Sequence, residues 1–132
     1  MSALLTNTGI AKYQNAVNGG SHTPPQHVGW GTADTSLLPA NTDLAAAVDQ
    51  ARVSGTKSVV TESVTNDTYQ VVSTLTAGGT LAIKEVGLFD GAGSGNPPAG
   101  ANMYVRGTFS TINLESGDAI QFTIKITLGQ PA

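Results

Sequence analysis

Between Ala119 and Leu128 the chain alternates without a break: Ile120, Phe122, Ile124, Ile126 and Leu128 fall on one face, Gln121, Thr123, Lys125 and Thr127 on the other. A period of two belongs to a half-buried β-strand. Upstream, the Val- and Thr-rich runs Lys57–Thr65 and Thr68–Thr76 flank Asn66-Asp67, two residues that tolerate turn conformations, so the segment predicts a hairpin. Tyr69, Val71 and Leu75 then share the inner face of its second arm. Ala77–Thr80 turns the chain into a strand over Leu81–Phe89, and Gly91–Gly100 is rich enough in Gly and Pro to be an exposed loop. Met103–Phe109 reads as the next strand, and Gly117-Asp118 turns into the alternating segment at the end.

The N-terminal part has a different period. Thr6-Asn7-Thr8-Gly9 offers caps for a helix of about three turns, with Ile10, Tyr13 and Val17 at helical spacing and Asn18-Gly19-Gly20 as its stop. Pro24 and Pro25 force an extended path into a short strand over His27–Gly31, which is expected to carry Trp30 to the core. Between residues 32 and 52 strand formers are few, and Asn41 ahead of Leu44–Val48 predicts a capped helical turn or two. One helix and about six strands, with turn signals every ten residues or so, predict a mainly β fold, an antiparallel β-sandwich or jelly-roll-like arrangement with a short N-terminal helix. The whole of 1–132 is expected to be one domain, with an N-terminal arm and helix over about 1–18.

Composition narrows the functions. The 132 residues hold 39% hydrophobic but only 11% charged side chains, and Ser, Thr, Asn, Gly and Gln fill the difference, so the surface is polar without being charged. Six Lys and Arg, scattered, with a net charge of -3, make no footprint for nucleic acid or an anionic membrane. The absence of cysteine excludes disulfides, thiolate nucleophiles and Cys-based zinc sites. Met1–Thr8 lacks the basic start and apolar run of a signal peptide, and no stretch of about 18 apolar residues exists, so the expectation is a soluble chain that keeps its N-terminus.

Candidate chemistry is thin. His22 and His27 are five apart in an extended segment and point to opposite faces, so they read as polar surface residues rather than metal ligands, and no metal or cofactor is expected. The run from Asp90 to Asn96 lacks the Lys-Ser/Thr ending of a phosphate loop and the alternate carboxylates of a calcium loop. No nucleophile elbow is present, and no spacing sets a nucleophile, a base and an orienting group together, so no catalytic residue is assigned and an enzyme is not expected. Glu85 and Arg106 lie mid-strand among apolar residues, where they either pair across neighbouring strands or stand as two separately solvated charges.

Five segments carry a resemblance: TNTGIAK (Thr6–Lys12), HVGWGT (His27–Thr32), KEVGLFD (Lys84–Asp90), YVRGTF (Tyr104–Phe109) and GDAIQF (Gly117–Phe122). Together they resemble small structural proteins of tailed bacteriophages, and they look like the N-terminal domain of phage tail-collar and tail-fibre proteins. The resemblance implies a non-enzymatic virion structural protein that works through surfaces. Because the chain runs only four residues past Leu128, with no shaft, the expectation is a capsid decoration (cement) protein on the capsid surface, made in the host cytoplasm. Its implied partners are the major capsid protein and copies of itself, arranged as a trimer. The alternative is a tail component, a collar or fibre-adaptor subunit bound to tail proteins. Met1–Leu5, apolar and outside any strand pattern, is the candidate docking arm, the other reading being a cluster folded on its own core. Met1, Leu4, Leu5, Trp30 and Tyr104 are therefore the candidate partner contacts. From another class, Trp30, Tyr104 and the 91–100 loop would serve a small carbohydrate-binding module.

Overall fold

In the computed structural model, which describes residues 1–129, the chain is an antiparallel β-sandwich with one short helix. The elements in order are β1 (Ser2–Leu5), α1 (Asn7–Val17), β2 (His27–Gly31), β3 (Val53–Ser54), β4 (Thr56–Val60), β5 (Thr68–Thr76), β6 (Leu81–Phe89), β7 (Met103–Leu114) and β8 (Ala119–Thr127). One sheet has the order β1-β7-β6-β2-β3 and the other β4-β5-β8. The core between them holds Val28, Trp30, Val71, Leu75, Val86, Leu88 and Phe122, with Trp30 edge-on to Phe122 at 6.4 Å. The mainly β sandwich and its N-terminal helix are as the hydrophobic periods predict.

Strand β6 is buried on both faces because a second layer covers the outside of the larger sheet. Its ladder to β7 shifts register between Ile83 and Glu85. An extra residue at that point reverses which face the following side chains take. Ile83 is thus in the core, and so are Val86 and Leu88, while Glu85, Gly87 and Phe89 point outward under the 32–52 segment. There Glu85, fully buried, accepts hydrogen bonds from the Ala45 and Ala46 amides at 2.9 and 2.8 Å and from Arg106 Nε at 3.1 Å. Arg106, 1% exposed, donates its remaining N–H groups to the Thr35 and Ser36 carbonyls, Thr35 Oγ1 and Asn41 Oδ1. Of the two readings of Glu85 and Arg106, the cross-strand pair is the one that forms, and it clasps the loop to the sheet. Gly31 gives it room, since a Cβ there would stand 2.4 Å from Glu85 Oε2.

Three expectations are corrected. Leu44–Val48 is not helical: its amides are taken by Glu85 and by the Trp30 carbonyl, and Ala47 bridges Gly31 antiparallel to β2. Tertiary hydrogen bonds displace the i to i−4 bonds that the alanines favour. Met1–Leu5 is not outside the strands: Ser2–Leu5 forms β1 and pairs with Thr108–Val105 of β7. Asn66-Asp67 is not a two-residue hairpin turn, because β4 ends at Val60 and the Asp67 carboxylate gathers the amides of Glu62, Ser63 and Val64 into a longer loop. The helix α1 forms where its spacing predicts, but Ile10 and Val17 are 47% and 70% exposed and do not carry its packing. It seats Gly9 instead on the backbone of Tyr104.

The 91–100 loop is also more ordered than its composition suggests. Ser94 and Ala99 exchange backbone hydrogen bonds, Pro98 is buried, and Arg52 ties the loop's base by donating Nη1 to the Gly91 and Gly100 carbonyls at 3.1 and 2.9 Å. The guanidinium lies 3.5 Å over the Phe89 ring. Burial lowers its pKa, and Asp43, 3.6 Å away, offsets part of that effect.

Candidate functional site

Thr6 determines where α1 lies. Its Oγ1 accepts the Gly9 amide at 3.0 Å, the usual N-cap bond, and donates to the Met103 carbonyl at 2.6 Å, so the same hydroxyl starts the helix and fastens it to β7. The face that α1 turns toward the sandwich is Gly9, Tyr13 and Ala16, spaced one helical turn apart. Beyond Gly9 the helix stands off the sheets, and a groove of about 350 Å³ opens between it, the Pro24-Pro25 segment and the ends of β5 and β8.

The groove is apolar and aromatic. Tyr13 and Ala16 form one wall, Pro24 and Pro25 the other, and Tyr69, Tyr104 and Ile126 also line it. Val59 and Leu128, 59% and 58% exposed, extend the apolar surface at its margin. The proline wall is held by Tyr69, whose hydroxyl donates to the Pro25 carbonyl at 2.6 Å. Burial pushes the Tyr69 phenol up to about 12, with Tyr104 adding to the effect. The Tyr104 phenol is also raised, by burial first and by Asp90 second. Both phenols therefore stay protonated at neutral pH and act as ring faces and hydrogen-bond donors. On the same margin Asp67 is held well below the usual carboxylate range by the amides it accepts, that of Glu62 foremost. In size and lining the groove suits an apolar side chain or a small aromatic group.

The predicted contact residues do not come together. Met1 is 88% exposed, Leu4 and Leu5 are half-buried in β1, and Trp30 is 3% exposed in the core. Tyr104, 4% exposed, reaches only the groove lining. Trp30 is therefore corrected as a surface contact: it fills space in the core, while Tyr104 meets the outside only through the groove wall, and neither offers the open ring face on which a sugar stacks. His22 is exposed and His27 half-buried, and among the described residues no group of three or more His, Asp or Glu is placed to hold a metal ion. Tyr13, Tyr69 and the two prolines were not singled out as site residues. The signal for them was the proline pair that keeps residues 24–25 extended beside a helix.

No family model, curated protein or solved structure matches the chain. Four of the five segments of the phage resemblance, Thr6–Lys12, His27–Thr32, Lys84–Asp90 and Tyr104–Phe109, share a property in three dimensions. Thr6 and Gly9 seat the helix, Gly31 makes room for Glu85, and Glu85 and Arg106 clasp the loop. In those four segments, these residues are joints of the scaffold.

Proposed function

We propose that this chain is a non-enzymatic structural protein of a bacteriophage virion, of the kind that decorates and stabilises the capsid shell. The observation that carries the reading is the use made of its polar and charged side chains. Among the described residues the buried ionic groups Glu85, Arg106 and Arg52, together with the Thr6 hydroxyl, serve to fasten loops and a helix to one sheet. What faces outward is a sparsely charged surface with apolar spots at Met1, Ile10, Val17, Val59 and Leu128. Such a surface suits many weak, simultaneous contacts to a repeating lattice, where effective concentration multiplies small affinities. The groove under α1, with its apolar margin, is the surface assigned to the shell protein.

Purified protein is expected to bind assembled, undecorated capsids, to raise their resistance to heat, and to occur in the virion at copy numbers near that of the capsid protein. Val59→Asp, at an exposed position on the groove margin, should weaken capsid binding while leaving the unfolding temperature unchanged. A handful of copies confined to purified tails would replace the capsid reading with that of a tail component. Failure to co-purify with any particle would overturn the virion reading altogether.

A further inference from the structure

Strand β8 ends the order β4-β5-β8, so one of its edges faces no strand of this chain among the described residues. Two hydrogen bonds just beyond the ladder show which residues of β8 face β5 and which are left for the free edge. The Ala77 amide donates to the Asp118 carbonyl at 2.7 Å, and the Leu128 amide to the Asp67 carbonyl at 3.1 Å. Both continue the register that sets Ala119 opposite Thr76 and Thr127 opposite Thr68. Even-numbered residues of β8 are therefore the ones bonded to β5. In an antiparallel ladder the intervening residues turn their backbone groups the other way, so Ala119, Gln121, Thr123, Lys125 and Thr127 direct N–H and C=O outward.

This edge carries none of the usual protections. It has no proline and no bulge, and the one charge on the strand, Lys125, is engaged with Glu62 of the β4–β5 loop. Ile120, Ile124 and Ile126 remain only half-buried beside it. A nine-residue strand rich in Ile and Thr, with an edge that no described strand covers, is a template for another strand.

We infer that β8 pairs with β8 of a second copy of this chain, antiparallel and about a two-fold axis at Thr123. The sequence is complementary to itself in that register. On the outer face Thr123 meets Thr123 of the second copy and Lys125 meets Gln121, while on the inner face Phe122 meets Ile124 and Ile120 meets Ile126. All five outward residues find partners, giving about ten backbone hydrogen bonds, two for each facing pair. Sliding the axis to Lys125 would set like charges opposite each other, and sliding it to Gln121 would leave Thr127 and Lys125 beyond the strand that should face them. The product is one continuous six-stranded sheet from two three-stranded ones. The contact is isologous, so it closes at two copies and does not build a trimer.

The absence of cysteine makes a direct test possible. In a facing hydrogen-bonded pair the Cα atoms lie about 5.5 Å apart, within disulfide reach. Thr123→Cys should therefore oxidise to a covalent dimer, whereas Gln14→Cys on the exposed side of α1 should not. Sedimentation of the unaltered protein should show a species of twice the 13.4 kDa chain mass. Thr123→Lys, which changes only a solvent-facing side chain, should weaken dimerisation at least tenfold at low salt and leave the unfolding temperature of the monomer unchanged. A protein that stays monomeric at all concentrations, sediments as a trimer, or dimerises equally well as Thr123→Lys would overturn the proposal. Self-pairing is independent of what the protein decorates: loss of the dimer with capsid binding retained, or the reverse, separates the two proposals.

Discussion

Replacing Arg106 by Met removes the cation of the Glu85–Arg106 clasp while keeping most of the side chain's length and apolar stem. The structure fixes where the loss falls. Four of the five acceptors that Arg106 serves belong to the Thr35–Asn41 stretch, where Thr35 and Ser36 are exposed and regain water once released. The fifth is Glu85, fully buried, which keeps the Ala45 and Ala46 amides but loses its counter-charge. An uncompensated buried carboxylate dominates, so the expected destabilisation is about 3–5 kcal/mol. For a domain of this size that corresponds to a fall in unfolding temperature of roughly 10–20 °C. Thermal or urea unfolding followed by Trp30 fluorescence measures it. Glu85→Gln in the Arg106→Met background should recover part of the loss, because the buried charge is then gone. A fall of less than about 1 kcal/mol for Arg106→Met, or strictly additive effects in the double variant, would refute the clasp as described.

Three further outcomes follow from the packing. Gly9→Ala would gain about 1 kcal/mol in an open helix, but here the Cβ would lie 2.7 Å from the Tyr104 carbonyl oxygen and 2.9 Å from its Cα. Because backbone cannot rotate aside, a net loss of about 1–2 kcal/mol in unfolding free energy is expected. Asp67→Ala should release the amides of Glu62, Ser63 and Val64, seen as lost hydrogen-exchange protection at those three positions. Since the folded state depresses the Asp67 pKa, its contribution is present above the ordinary carboxylate value of about 4 and is lost as pH falls below it. The Tyr69 phenol, raised to about 12, should ionise last in a phenolate absorbance titration, and Tyr69→Phe should remove that phase. The sign is opposite to that of Asp67: the contribution of Tyr69 holds below its unfolded value of about 10 and is lost as pH rises from there through about 12.

Local pattern alone was enough to find the sandwich, and the reason is periodicity. In β8 the apolar positions repeat every second residue, and each of them lies inward of its solvent-facing neighbours. Where a strand is buried on both faces the pattern loses that meaning. In β6 the core residues change parity between Ile83 and Val86, which is the trace of the register shift, and the outward Glu85 and Phe89 are buried by a loop far away in sequence. The Ala-rich stretch at 44–48 failed as a helix for the same kind of reason. Its amides found better acceptors, on residues some forty positions away, than its own carbonyls.

The sequence by itself determined the class of fold, the position of Trp30, the cap at Thr6 and the exclusion of thiol chemistry, because each depends on neighbours a few residues apart or on composition. Only the tertiary structure decided the rest. That Glu85 and Arg106 form one clasp, that Ser2–Leu5 closes a sheet, that Tyr13, Pro25 and Tyr69 share a groove and that one edge of β8 has no strand beside it among the described residues all depend on which strand lies beside which. Pairing order is set by burial summed over the whole chain, and no single segment records it.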